Sequence, residues 1–341
     1  MKLTALDEFH IAQGTRLVVN ENVLAVICDN FLRTISSAIF NGGSKPVKAV
    51  LNVGVPEGYS DRSLHLDPLE LITSSAPKVG ATDNYLAMVT AAKIKNYSLV
   101  SKKNTDYSVT VAATAGCSHG ESSGEEMAVE EITGTINIII FIDGNPTDSC
   151  MVATLITATE AKSAALHDFD VRSRYTGDSA TGSITDAVTV ASTGRGKEVY
   201  LGGPASKLGK LVGYCTRQAV VEALLKQEPV WANRNVADRL KERHLPLEKL
   251  AAEISKINDL AVTPDGLDKI LKAHPSVGWQ LLAAAKLDDD YKKNLLPTDF
   301  EDWSSANQTL NETGIQNCPT VDLPPFIKAA LIEIIKTARN G

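Results

Sequence analysis

Thr133-Gly134-Thr135-Ile136-Asn137-Ile138-Ile139-Ile140-Phe141-Ile142 is the most apolar run in the chain, and its reading decides the fold. It is short and dominated by β-branched isoleucine, so residues 136–142 read as a strand rather than a helix. Apolar side chains at almost every position, not every second one, require cover on both faces. The run is therefore a buried central strand. Its neighbours supply the cover. Residues 146–166 read as a helix, and so do residues 205–226, where Leu208, Val212, Cys215, Ala219 and Ala223 form one stripe. That stripe places Cys215 in the core.

Working outward, residues 16–20 and 23–28 read as a hairpin, and 49–55 as a further strand ended by Pro56-Glu57-Gly58. A short helix over 67–75 starts at Asp67-Pro68, a capping residue followed by a first-turn proline. Residues 85–92, 98–102, 108–113 and 186–191 read as strands. Beyond Gln227-Glu228-Pro229 the texture changes. Helix patterns over 235–244, 247–260, 264–272, 277–294 and 324–339 replace strands, with a polar, turn-rich stretch at 298–319. The expected architecture is α+β: a mixed, largely antiparallel sheet covered by helices, followed by a helical C-terminal appendage. The expected division is a catalytic domain over 1–228 and an accessory region over 229–341.

Composition narrows the function. A net charge of −7 over 341 residues disfavours nucleic acid and anionic membrane surfaces as partners. The first residues lack the pattern of an export signal, and no run is long enough to span a bilayer, so a cytoplasmic location without membrane insertion is expected. The five cysteines, Cys28, Cys117, Cys150, Cys215 and Cys318, show no paired spacing and read as reduced thiols. The six histidines form no metal-ligand pair, so no protein-bound metal is expected.

Polar residues at the ends of apolar segments mark the candidate site. Ser36 to Gly43 is a small-polar loop whose Ser37, Asn41, Gly42 and Gly43 suit either ligand approach or a tight turn. Thr114-Ala115-Gly116-Cys117-Ser118-His119-Gly120 follows an apolar strand, and its amides have the makings of an oxyanion pocket. His119 within it titrates near neutrality, as a general acid or base must. Asn137 lies inside the central strand, so its amide binds either substrate or a neighbouring loop. Lys162 falls on the apolar stripe of its helix with Met151, Leu155 and Leu166, where an ammonium must pair or snorkel. Asp186 is its preferred partner. Glu160 lies about 200° from Lys162 around the helix, so the two do not share a face. Thr181-Gly182-Ser183-Ile184-Thr185-Asp186 brings hydroxyls and a carboxylate to the start of a strand, where Asp186 serves either chemistry or the turn.

The order of these blocks, together with Ala87-Met88-Val89-Thr90-Ala91-Ala92 and the segment 203–223, resembles the adenosylcobinamide amidohydrolase family across residues 16–226. Three positions depart from its pattern: His119 stands where asparagine is expected, and Ser183-Ile184 replaces Thr-Gly. The resemblance implies hydrolysis of the amide that joins cobyric acid to aminopropanol, in cobamide salvage. The implied partner is a small-molecule corrinoid. Its cobalt belongs to the substrate, and no cofactor is implied; a homo-oligomer is compatible with the chain.

The site residues expected on these grounds are Glu160, His119, Lys162 and Asp186 for catalysis, with Glu160 favoured as the base that activates water. Substrate contacts are expected from Ser37, Asn41, Gly42, Gly43, Thr114, Gly116, Asn137, Thr181 and Thr185. Two other readings stand beside this one. The first is a self-processing Ser/Thr amidohydrolase or acyltransferase with Thr114 or Thr135 as nucleophile. The second is a corrinoid-binding protein without hydrolysis.

Overall fold

The computed structural model describes residues 6–56, 68–118, 120–126, 134–258, 261–296 and 323–340. The chain divides into two compact units, one of Met1–Tyr175 with Ser179–Asn233 and the other of Thr176–Asp178 with Arg234–Gly341.

The first unit is built on a sheet with spatial order β1-β2-β3-β10-β8-β7-β6. Its strands are β1 (Asp7–Ala12), β2 (Thr15–Val19), β3 (Val23–Ser36), β6 (Ser98–Lys103), β7 (Ser108–Gly116), β8 (Thr135–Asp143) and β10 (Ala187–Ser192). β4 (Gly43–Gly54) pairs with β3, and β5 (Tyr85–Thr90) pairs with β4, off that path. Neighbours run antiparallel except β8 with β10 and β4 with β5, which are parallel. The mixed, largely antiparallel α+β architecture expected from the sequence is the one observed.

β8 shows why its sequence is apolar almost throughout. Ile136, Ile138, Ile140 and Ile142 enter one core with residues of α2 (Asp148–Asp168) and α3 (Lys207–Gln227), including Met151, Leu208, Val212, Cys215 and Ala219. Ile139 and Phe141 enter a second core on the other face, with Leu17, Leu24, Val26 and Met88. Successive strand side chains alternate between faces, and both faces are dry. Both helices are capped locally: Thr147 accepts from the Cys150 N–H, and Ser206 from the Gly209 N–H. Cys215 is fully buried, and burial pushes its thiol up to about 11. A third core lies between β3, β4 and α1 (Pro68–Ser75), through Leu51, Leu71 and Ile72.

Two expectations change. The strand read as 23–28 continues to Ser36, and the one read as 49–55 begins at Gly43. Asp29, Asn30 and Phe31 are exposed, and the β3–β4 register shifts between Ile27 and Leu32. The exposed bulge interrupts the apolar pattern after Cys28, so only the first half of this long strand reads as one. The short parallel pair β9 (Asn145–Pro146) and β11 (Glu198–Val199) has too few residues for any periodicity.

The second unit is helical among its described residues: α4 (Val236–Lys241), α5 (Leu247–Asn258), α6 (Pro264–Ala273), α7 (Pro275–Lys292) and α8 (Pro325–Asn340). Leu240, Leu250, Leu267, Leu281, Ile327 and Leu331 share its core. The turn-rich stretch 298–319 lies outside the described residues. No described helix is long and apolar enough to cross a membrane.

Candidate active site

Asp186 is the centre of the candidate site. It immediately precedes β10, beside the parallel strand β8. Its Oδ1 accepts from the Ile136 N–H at 3.0 Å and the Ser183 hydroxyl at 2.5 Å. Its Oδ2 accepts from the Ser183 N–H at 3.1 Å and from Lys162 Nζ at 2.5 Å. The Lys162 and Asp186 side chains are 9% and 11% exposed, so this ion pair is largely removed from water. The helix stripe of the sequence therefore delivers a buried, paired lysine and not a snorkelling one. Asp186 is the partner expected for Lys162, and it also ties the turn through Ser183.

Gly182 makes the pair possible. A Cβ there would stand 2.5 Å from Asp186 Oδ2 and 2.7 Å from Lys162 Nζ. The flanking hydroxyls are engaged. Thr185 Oγ1 and Thr135 Oγ1 lie 2.8 Å apart, and Thr181 Oγ1 accepts from the Ser123 N–H at 3.0 Å.

Glu121 was not singled out in the sequence. It is 9% exposed and bridges by backbone to the same loop: its N–H donates to Gly182 O at 2.9 Å, and its carbonyl accepts from the Thr181 N–H at 2.8 Å. Burial raises its carboxyl pKa; the Arg174 guanidinium opposes this and the neighbouring Glu125 reinforces it. Glu160, the favoured base, stands exposed on the outward side of α2. No burial desolvates it, so the physical reason for preferring it is absent. His119 lies outside the described residues.

The turn after β7 differs from an open amide pocket. The Cys117 N–H donates to both carboxylate oxygens of Glu228 at 3.2 Å each, and the Ser118 N–H donates to Oε1 at 3.2 Å. Those amides are occupied by the chain's own carboxylate. The Cys117 thiol is fully buried, and its pKa is driven far up by that burial and then by Asp186, Glu228 and Glu121, with Lys162 opposing. It stays protonated and is no nucleophile. Gly116, the last residue of β7, pairs with Thr135.

Thr114 and Asn137 are register partners on β7 and β8, on the sheet face away from Cys117 and Ile136. Asn137 Nδ2 donates to Asn52 Oδ1 and to Val89 O, both at 2.8 Å, and Asn52 Nδ2 donates to Thr114 Oγ1 at 2.9 Å. The Thr114 hydroxyl reaches Thr90 Oγ1 at 3.4 Å. All four residues are buried. The Asn137 nitrogen ties strands together, while its Oδ1 has no hydrogen-bond partner among the described residues. Asn52 carried the same signal as Asn137, a lone amide inside the apolar run Val50-Leu51-Asn52-Val53, and is a residue the sequence reading missed.

Ser37, Asn41, Gly42 and Gly43 form the turn of the β3–β4 hairpin. Asn41 and Gly43 take φ values of 54° and 87°, as such a turn requires. Ser37 Oγ accepts from the Val188 N–H at 3.0 Å, and Asn41 Nδ2 donates to Tyr85 O at 3.0 Å. The turn is thus pinned to β10 and β5.

The sequence pattern of the adenosylcobinamide amidohydrolase family matches residues 6–231, which holds the whole sheet, both covering helices and every group described above. The chain belongs to this family. The family member is an amidohydrolase, an enzyme that cuts a linear amide C–N bond. It is similar to an adenosylcobinamide amidohydrolase of Methanosarcina mazei, 29% identical over 191 residues covering 54% of this chain and 83% of the relative. It is also similar to an uncharacterised protein of Methanocaldococcus jannaschii, 28% identical over 209 residues, 55% of this chain and 81% of the relative. Among solved structures, a Burkholderia beta-aminopeptidase aligns at 9% identity with a TM-score of 0.36, covering 66% of this chain and 83% of its own. A Pyrococcus horikoshii protein aligns at 13% identity and a TM-score of 0.35, covering 65% and 82%.

Proposed function

We propose that this amidohydrolase acts on adenosylcobinamide, adding water to the amide between the cobyric acid part and aminopropanol to release adenosylcobyric acid and aminopropanol. The observation that carries the reading is the buried Lys162–Asp186 pair, set at the strand ends inside the family-matched region. Amide hydrolysis places negative charge on the carbonyl oxygen, and a fixed ammonium in a dry setting opposes that charge strongly. Lys162 takes this role, held in place by Asp186. Asp186 accepts four hydrogen bonds, which leaves it poorly suited to remove a proton from water. Glu121 suits that task better, because its desolvated carboxylate has the higher proton affinity a general base needs. It takes the proton from water and returns it to the departing amine, so the charges balance over the cycle.

The corrinoid is the substrate, with its cobalt, and a small molecule of this kind is the proposed partner. The self-processing alternative would place its nucleophile at Thr114, inside β7, or at Thr135, the first residue of β8. Incubation with adenosylcobinamide and mass analysis of the products tests the reading. Release of aminopropanol is the expected result. Unchanged adenosylcobinamide would count against it, and a protein cleaved before Thr114 or Thr135 would favour self-processing.

A further inference from the structure

We propose that the turn after β7 is a carboxylate-binding site that this chain fills with Glu228, and that the filling positions the Lys162–Asp186 pair; the second half rests on the hydrolase reading above. Glu228 follows the last residue of α3, where the negative end of the helix dipole disfavours a carboxylate. The helix itself does not explain its seat. Its oxygens instead receive the consecutive amides of Cys117 and Ser118 at 3.2 Å, and Trp231 Nε1 at 2.5 Å. Successive N–H groups converging on one acceptor form an anion-binding concavity, independent of where the anion comes from.

The connection to the pair is short. Two residues past Ser118, Gly120 bridges to Ser173, and Glu121 then exchanges backbone hydrogen bonds with Thr181 and Gly182. Gly182 backs directly against both members of the ion pair. The electrostatics agree with this proximity, since Asp186, Glu228, Lys162 and Glu121 all act on the Cys117 thiol. Glu228 is thus a positioning residue. It touches the turn, and the turn reaches the pair through Glu121 and Gly182.

Chemical rescue tests both halves in the full-length protein. Glu228→Ala vacates the concavity. Turnover of adenosylcobinamide is expected to fall about 10- to 100-fold, with KM within about threefold of wild type, as for a misplaced but present catalytic group. Formate restores turnover, and chloride at equal ionic strength does not. In parallel, the Cys117 and Ser118 amide resonances of Glu228→Ala shift saturably with formate, while those of the wild type do not. Glu228→Asp retains part of the activity. Glu228→Gln, which offers one oxygen and presents its NH₂ to donors, loses activity while remaining folded, and it serves if the alanine variant is insoluble. Formate-insensitive amides overturn the carboxylate site. Wild-type turnover in Glu228→Ala or Glu228→Gln overturns the positioning role. Should the wild type fail to hydrolyse adenosylcobinamide, the hydrolase reading falls, and the amide titration still decides the carboxylate site.

Discussion

Replacing Lys162 with methionine separates a paired lysine from a snorkelling one, and the structure sets the size of the effect. Methionine keeps the length of the stem and its apolar contacts on α2 but removes the ammonium. Asp186, 11% exposed at its side chain, is then left as a buried carboxylate without its counter-ion. Breaking a buried pair from one side costs about 3–5 kcal/mol. Asp186 keeps three other donors, the Ile136 N–H, the Ser183 N–H and the Ser183 hydroxyl, so the low end, about 3 kcal/mol, applies here. For a unit of this size that lowers the melting midpoint by about 6–12 °C. The double variant Lys162→Met/Asp186→Asn removes the unpaired charge and regains part of the loss, which a thermodynamic cycle measures. Turnover behaves differently. It falls at least about 100-fold in both variants, because the group opposing the oxyanion is absent from each. Circular-dichroism melts with product analysis on the same samples read out both quantities. A single variant with wild-type melting and wild-type turnover would refute the argument, for it would mean that the ammonium neither stabilises Asp186 nor meets the substrate.

Gly182→Ala forces a Cβ to 2.5 Å from Asp186 Oδ2, so the pair must separate; we expect a turnover loss close to that of Lys162→Met, and near-normal turnover would show the loop yields cheaply. Glu121 should set the acid limb of the pH–rate profile: burial raises its pKa, so that limb lies above the one an ordinary glutamate would give, and Glu121→Gln should remove the limb together with most of the turnover. Glu160→Gln, by contrast, should change turnover by about twofold or less, since the residue is exposed and away from the pair. In the helical unit, Asp288 on α7 accepts the Phe326 and Ile327 N–H groups at 2.9 Å each, and burial pushes its carboxyl from 3.8 up to about 6. Its folded form binds the proton more tightly than its unfolded form, so this unit gains stability as pH falls through 6 towards 4, by at most about 3 kcal/mol. Urea titrations of the full chain followed at α8 check this, and a unit that weakens over that interval would contradict it.

Much of the scaffold is legible in the sequence, for reasons that lie within single elements. The isoleucines of β8 declare a strand covered on both faces, because burial of alternate side chains demands apolar residues at each. The stripe of α3 declares its inward face, and Lys162 betrays itself by standing where an apolar residue belongs. Asn137 does the same inside β8. These signals are local: periodicity and the cost of burying a polar group depend on neighbours a few residues away. The family blocks add the chemistry expected of the region, and they also fall within the first unit.

What only the tertiary structure decided is which distant groups meet. Glu228 gave no signal in Gln227-Glu228-Pro229, because its partners, the amides of Cys117 and Ser118, lie over a hundred positions earlier and have no side-chain identity to read. Glu121 looked like one acidic residue among several until the loop at Thr181–Gly182 closed over it and desolvated it. Glu160 reads in the sequence as the favoured base, and the helix turns it to water. Sequence patterns therefore reported which residues leave solvent within an element. Proton affinity and ion pairing follow instead from the long-range contacts that exclude water around a particular charge.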